Sequence, residues 1–571
     1  MQQAGLSNTK RNYILILLAA IGLAIKYIFV DLGIDAEYQV VMAYRLATGE
    51  VMFQEMWEAH QTSAFLCAIF VKLYLLLLKT TTGIVLYLQI VSVMIDAAIS
   101  CFLYRVVNKY LDNRAVACAM AWVFFVVSPK DVPMAEFANM QLWSCLLLCL
   151  WLFVYHVTRK KCYLVLAALS LCAAVLAYPS CVILLVGIGF LNFYYREKKE
   201  FLIITAVCVV TGMFYIGFLL TNMSVSELLF AVENMLAIEP THTVGMGEKF
   251  IAYAKDATKI AVLFGIVYGI SYLIAQIISR LKKQNKENSG ILMNSLFLGQ
   301  ILLISFYTAI RWRVYMRYSY SLVFLAVIVV GLYYAKRLSG AKRYFYVCGT
   351  VIAIFNFVAT LILTDLELVG SIPYLLIAVV AAFLPIGEVY QMIDAKSVYA
   401  NLIKVLLVCG FLLLTVRNAY IIRPMYGQIQ PLTAVGGIVK EGPAIGIISD
   451  YMGVYMQNET LKEWDQYVEE GSNIYMIGRA IDTLGYLYSD TNIAAPSVMS
   501  TPAYNEYIPK YWEINPEKYP DVIIASCWYG SLDQGLLDNE WILNWIEEEY
   551  QPQYQIDGKY WRYYFKEQPS F

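Results

Sequence analysis

The chain has 571 residues, 60% of them hydrophobic and only 15% charged, with a mean hydropathy of +0.59. A water-soluble globular protein is less apolar, so the sequence describes a polytopic membrane protein. The 42 Lys and Arg against 43 Asp and Glu give a net charge of −1, which removes the electrostatic case for a nucleic-acid partner.

The first apolar run, Tyr13 to Val30, follows Lys10 and Arg11 and lacks an A-x-A cleavage site. It reads as an uncleaved span with a cytoplasmic N-terminus. The run from Ala64 to Leu78 is about 15 residues long, carries Lys72 and ends at Lys79. Counting it as a crossing would put Arg105, Lys109 and Arg114 outside, so it reads as an interfacial helix within an outer loop, 31–82. The remaining spans fall at roughly 83–104, 115–128, 141–157, 162–177, 181–195, 201–220, 258–279, 291–310, 318–334, 344–363, 373–391 and 400–421. With the first, that makes about thirteen transmembrane helices in residues 1–422. The loops RVVNKYLDNR, TRKK, YREKKE, RLKKQNKEN and AKRLSGAKR then fall inside, as the positive-inside rule requires.

An odd number of spans places the polar tail, 423–571, outside the cell. Short β-rich runs (Ala444 to Ser449, Asn473 to Ile477, Asp521 to Ala525, Trp561 to Phe565) alternate there with helix-like stretches such as ETLKEWDQYVEEG, predicting a small α/β domain. It carries no G-x-G-x-x-G and no Walker motif. The 12 cysteines scatter through apolar runs, with Cys527 alone in the tail, no CxxC is present, and the histidines are His60, His156 and His242. That pattern argues against a disulfide scaffold or a zinc site.

Polar groups gather in three places on the expected outer face. Asp35 and Glu37 stand just beyond the first span, where two carboxylates could supply a general base and a partner that raises its pKa; a helix cap and solvated loop acids would look the same. His60 leads the interfacial helix. Glu136 and Asn139, at i and i+3 between the third and fourth spans, would share a helix face, or simply cap and anchor the fourth span. Arg311, Arg313 and Arg317 cluster on a side that otherwise avoids basic residues. Guanidinium groups bind phosphate oxygens bidentately, which suits a lipid-linked phosphate or an ordinary anionic headgroup. Asp96, inside an apolar span, has Ser92 and Ser100 four residues away on either side as expected partners.

The order of these elements resembles the GT-C superfamily of membrane glycosyltransferases, in particular the protein O-mannosyltransferase and aminoarabinose-transferase branch that uses polyprenyl-phosphate sugars. The resemblance rests on Asp35-Ala36-Glu37 opening a large outer loop, His60-Gln61-Thr62-Ser63 leading an interfacial helix, the outer acidic segment around Glu136, and Arg317-Tyr318 opening a late span. The relatives have adjacent Asp-Glu where Ala36 intervenes here, and often a proline pair where none follows His60. The resemblance implies a GT-C-like all-α membrane domain and an inverting transfer from a polyprenyl-phosphate sugar to an extracytoplasmic acceptor: a cell-wall polymer, a glycolipid or a protein. Asp35 would be the base, with Glu37 beside it. Arg311, Arg313 and Arg317 would hold the donor phosphate, and His60, Glu136, Asn139 and Tyr318 would contact substrate. Arginine can supply the positive charge, so no metal is required, although Asp35, Glu37 and Glu136 could hold Mg or Mn through oxygen. The expected setting is a bacterial cytoplasmic membrane. A lipid-linked-sugar flippase or transporter is the main alternative and an inert assembly protein a third; the flippase predicts midplane polar groups and paired broken helices.

Overall fold

The computed structural model describes the chain except residues 1, 31–33, 59, 129–136, 238–245, 284–285, 312–315, 364–365, 394–397, 423–429, 478–482, 489–490, 499–507, 529–530, 533–539, 551 and 570–571. The side chains of 2–13, 34–36, 137, 236–237, 246, 286, 309–311, 316–320, 363, 399–400, 528, 531–532 and 540 also lie outside the description.

The N-terminal three quarters of the chain is helical. The helices are α1 (Gln2–Phe29), α2 (Ile34–Thr48), α3 (Phe65–Leu78), α4 (Ile84–Leu111), α5 (Arg114–Val127), α6 (Phe137–Thr158), α7 (Cys162–Ala177), α8 (Leu184–Tyr194), α9 (Lys198–Leu219), α10 (Val225–Ala237), α11 (Met246–Leu281), α12 (Lys286–Arg311), α13 (Met316–Tyr334), α14 (Gly340–Leu363), the short α15 (Leu368–Ser371), α16 (Leu376–Met392) and α17 (Val398–Tyr420). A helix stands at every one of the thirteen expected spans. Among the described residues, nine helical stretches are long and apolar enough to cross a membrane, and shorter apolar helices occur at 14–29, 114–127, 162–177 and 179–194.

One of the nine is a difference from the sequence reading. Gln61–Leu78 qualifies on length and composition, because a 3-10 turn at Gln61–Ala64 extends α3 beyond the 15 residues counted from hydropathy alone.

The packing sorts these helices into inner and outer ones. Most of α6 and of the stretch ending in α16 is enclosed, whereas α9, α11 and α17 keep apolar side chains outward. Phe214 and Met213 of α9 are 76% and 68% exposed, the all-round apolarity of a helix that faces lipid. Small residues let the inner helices approach closely. A Cβ on Gly331 of α13 would fall 2.6 Å from the Cβ of Ala382, and one on Gly349 of α14 would fall 3.0 Å from that of Ala381, so two helices close on neighbouring alanines of α16.

Buried polar groups inside this bundle are paired across helices. Asp96 of α4 accepts hydrogen bonds from Ser128 Oγ (2.8 Å) and Trp143 Nε1 (3.0 Å), partners that belong to neighbouring chain segments and not to its own helix. At the end of the bundle that carries the basic loops, Glu197 lies 3.4 Å from His156 Nδ1 and pairs with Arg159, while the His156 ring stacks on Tyr344 with centroids 3.7 Å apart.

Beyond α17 the chain turns to strands. The main sheet has β1 (Asn473–Ile477), β2 (Asn492–Ile493), β3 (Val522–Trp528), β4 (Ser531–Leu532), β5 (Gln555–Asp557) and β6 (Trp561–Phe565), in the order β2-β1-β3-β6-β5 with β4 against β3. β1 pairs in parallel with β2 and β3, and β6 is antiparallel to β3 and β5. Ile474 to Ile477 and Val522 to Ala525 are continuously buried, as strands covered on both faces must be. Helices α18 (Ile508–Ile514) and α19 (Glu540–Glu549) accompany the sheet, and the amphipathic α19 turns Ile542 and Ile546 inward. Three of the four strands expected from sequence occur where expected. The run Ala444 to Ser449 is strand only from Ile448, and the helix-like stretch near Glu463 is helical as contiguous short π, 3-10 and α segments over 456–467.

This domain returns to the start of the chain. Val30, at the end of α1, bridges in parallel to Ile448. Trp57 N–H donates to Pro496 O (2.8 Å), Gly83 N–H to Gly442 O (3.1 Å), and Thr81 Oγ1 to Leu487 O (2.5 Å). Both ends of α3 are therefore flanked by residues bonded to the C-terminal region.

Candidate functional site

The segment between α1 and α4 is where the sequence placed the reacting carboxylates, and among its described residues the helix α2 is enclosed. Every described residue of α2 from Glu37 to Tyr44 is buried, Glu37, Gln39 and Arg45 at 0% exposure. Glu37 is thus no solvated loop acid. The side chain of Asp35 lies outside the described residues, although its backbone begins α2.

His60 stands next to this helix. Ser63 Oγ donates to Gln39 Oε1 (3.0 Å) and to His60 O (2.7 Å), which joins α2 to the turn that starts α3. The His60 ring stacks on Tyr178 with centroids 5.7 Å apart, and Thr62 Oγ1 donates to Leu176 O (2.6 Å), so the end of α7 forms the neighbouring wall. A further wall comes from α10, which no span assignment anticipated. Its N-terminus is a capping box in which Ser224 N–H donates to Glu227 Oε2 (2.6 Å) and Glu227 N–H to Ser224 Oγ (3.2 Å). The S-x-x-E signature before an apolar run was legible in the sequence. Phe230 of α10 meets Trp57 edge-on at 5.9 Å.

The C-terminal domain completes the enclosure. Tyr488, whose hydroxyl donates to Gln457 O (2.5 Å) and Glu441 O (3.2 Å), has its pKa raised by burial first and then by the charges of Glu441, Asp465 and Glu37.

Two residues on from the fully buried Asn139, the Gln141 amide donates to Asn356 Oδ1 (2.8 Å) and Thr360 Oγ1 (3.2 Å) of α14. This polar contact links the start of α6 to the end of α14. Glu136 and Arg313 lie outside the described residues, as do the side chains of Arg311, Arg317 and Tyr318. Among the described residues no group of three or more His, Cys, Asp or Glu could hold a metal ion. Of the three carboxylates considered for one, only the Glu37 side chain is described.

The residues that sequence reasoning passed over are those that fasten α2 in place. Arg45 Nε pairs with Glu50, Nη1 donates to Glu58 Oε1 (3.2 Å) and Pro496 O (3.5 Å), and Nη2 donates to Glu55 O (2.5 Å) and Ala495 O (3.0 Å). Lys518 Nζ reaches Glu50 (2.9 Å) and Glu55 (3.5 Å). Two cations thus face three carboxylates. Burial pushes the Glu58 carboxyl up to about 7, against the pull of Arg45 and the Val498 N–H. Burial opposes the charge on Arg45, but Glu50, then Tyr511 and Glu58, outweigh it and hold the guanidinium above its ordinary range.

No family profile matches the chain, and no curated protein matches it. Among solved structures it is similar to the Archaeoglobus fulgidus oligosaccharyltransferase in complex with zinc and sulfate, at a TM-score of 0.44 and 11% identity, over 94% of this chain and 68% of that one. The apo form of that enzyme gives a TM-score of 0.39 at 11% identity over 94% and 70%. The archaeal oligosaccharyltransferase AglB of the same organism, in complex with an inhibitory peptide and a dolichol-phosphate, gives 0.37 at 11% identity over 91% and 70%.

Proposed function

We propose that the protein is an inverting glycosyltransferase of the GT-C kind, moving a sugar from a polyprenyl-phosphate donor to an acceptor outside the cell. The observation that carries this reading is the enclosure of Glu37 on α2, one turn from the start of the helix that bears Asp35. A carboxylate withdrawn from water beside the membrane has to be held by its surroundings, and such held carboxylates are candidates for function. The orientation follows the basic loops: N-terminus in the cytoplasm, with the segment 31–82 and the C-terminal domain on the outer face. On this reading α3 lies along the membrane surface, because residues flanking both of its ends bond to one C-terminal domain. The setting we assign is the cytoplasmic membrane of a bacterium, with membrane lipid around the bundle.

In this mechanism Asp35 accepts the proton of the acceptor hydroxyl as that oxygen attacks the anomeric carbon. The bond from the anomeric carbon to the phosphate oxygen breaks, its electron pair stays on the lipid phosphate, and Arg311, Arg313 or Arg317 stabilises the charge. His60, Asn139, Glu136 and Tyr318 would line the sugar and acceptor. A single displacement inverts the configuration.

The test is purified protein in liposomes with a panel of radiolabelled polyprenyl-phosphate sugars, comparing wild type with Asp35→Asn and Glu37→Gln. Release of sugar by wild type and its loss in Asp35→Asn, with donor binding retained, is the expected result. Labelled lipid crossing the bilayer equally in all three proteins without sugar release would overturn the reading in favour of a flippase.

A further inference from the structure

The cluster around Arg45 joins residues almost a full chain length apart. Arg45 sits in the last turn of α2 and is fully buried. Ten residues, about 15 Å of helix, separate it from Asp35, and the intervening Val40, Val41, Met42 and Ala43 are all buried. A helix packed in this way moves as a rod, so what fixes one end fixes the other.

What fixes the Arg45 end is the C-terminal domain. The guanidinium takes two of its acceptors, Ala495 O and Pro496 O, directly from that domain. Its partner Glu58 also accepts from Val498 N–H (2.8 Å), and its partner Glu50 is held by Lys518. Tyr511 Oη donates to Glu55 O (2.9 Å), and Asn515 Nδ2 to Gln54 O (3.1 Å). Guanidinium geometry suits the task, since five donors in a rigid fork satisfy side-chain and backbone acceptors from both segments at once.

We propose that Arg45 is a positioning residue, and that through it the C-terminal domain sets the placement of the Asp35 and Glu37 end of α2. The inference rests on the glycosyltransferase reading for its catalytic consequence, and on the geometry alone for its mechanical one. It gives the C-terminal domain a role in the reaction without requiring it to touch substrate.

The experiment uses full-length protein in liposomes and the variants Arg45→Ala, Arg45→Lys and Lys518→Met. Hydrogen exchange reports the α2 amides without any donor, and sugar release reports kcat and KM. In Arg45→Ala the α2 amides are expected to exchange at least ~10-fold faster, with kcat down about 100-fold and donor KM within about 3-fold, the pattern of misplaced catalytic groups. Arg45→Lys recovers part of both. Lys518→Met, which leaves α2 itself unaltered, shows a smaller loss of the same kind and serves if Arg45→Ala does not fold. Unchanged α2 exchange, or faster exchange with kcat at the wild-type value, overturns the proposal. If wild type releases no sugar from any donor, the glycosyltransferase reading fails and takes the catalytic half with it, while the exchange data still decide whether the C-terminal domain holds α2.

Discussion

Glu58 accepts from Arg45 Nη1 at 3.2 Å and from the backbone N–H of Val498 at 2.8 Å through the same oxygen, Oε1. One carboxylate oxygen therefore joins the loop before α3 to a segment 440 residues later. Arg45 and Lys518 are matched by Glu50 and Glu55, which leaves Glu58 as the surplus acid in a dry site, and burial raises it to about 7. A carboxyl raised in the folded state binds its proton more tightly there than in the unfolded chain. Its contribution is fully present below the ordinary carboxyl range and is lost as pH rises toward 7. The contact between loop and C-terminal domain should therefore loosen between about pH 4.5 and 7, by something on the order of 3 kcal/mol. Glu58→Gln should abolish that dependence. Hydrogen exchange at 495–498 across this range checks it, and an equal slope in both proteins would refute it.

Asp96 receives hydrogen bonds from Ser128 and Trp143 inside the bundle. Asparagine keeps an acceptor oxygen at the same place, so Asp96→Asn should unfold within about 1 kcal/mol of wild type. Asp96→Ala strips the Trp143 N–H of its acceptor and should cost about 1–3 kcal/mol. Thermal unfolding in detergent distinguishes the two, and a charge-dependent role for Asp96 would show as a large loss of sugar release in Asp96→Asn.

Gly442 has φ +76°, and a Cβ there would fall 2.2 Å from Cζ of Tyr488. That tyrosine cannot step aside without giving up its hydrogen bonds to Gln457 and Glu441. Gly442→Ala should cost about 1–3 kcal/mol through strain and displacement. Because Gly442 O accepts from Gly83 N–H, the loss should appear as faster exchange at residues 83–87, with the exchange of β3 and β6 unchanged.

Glu197 joins the ends of α6 and α9 through Arg159 and His156. Burial would raise its carboxyl, but His156 and Arg159 prevail and hold it below its ordinary value of 4.5. The stability this supplies is present above about pH 4.5 and is lost as pH falls below it. Glu197→Gln should lower the melting temperature at pH 7 by the equivalent of about 1 kcal/mol, and the gap should close as the solution is acidified past pH 4.5. A gap constant with pH would show that packing alone is involved.

Much of the membrane region could be read from the chain because a lipid-facing helix advertises itself locally: each expected span falls on a helix, although α1, α4 and α11 run about 7–12 residues beyond the expected bounds at one end. The strands Asn473–Ile477 and Trp561–Phe565 were equally plain from their β-branched and aromatic content. Contacts between distant segments were not. For Asp96 the sequence offered serines one turn away, whereas Ser128 at the end of α5 and Trp143 of α6 are partners that no helical spacing reveals. Arg45 did not stand out, since nothing near it in sequence announces Ala495 or Pro496. Helix α10 hid in a stretch taken as loop, although its capping box stood in plain view.

The distance along the chain between Arg45 and Ala495, 450 residues, also has a consequence for how the protein is made. A ribosome adding roughly 5–20 residues per second needs about 20–90 s to cover that interval. Throughout that time α2 has left the ribosome with its guanidinium lacking the acceptors Ala495 O and Pro496 O, and Glu50 and Glu58 lacking the donors Lys518 and Val498 N–H. The segment between α1 and α4 can reach its final form only after the last helix has been inserted and the terminal domain has been synthesised. Truncation near residue 490 would thus leave a bundle with all its spans and an immature first loop, a species that a membrane protease could recognise at its N-terminal end for a fault at the other.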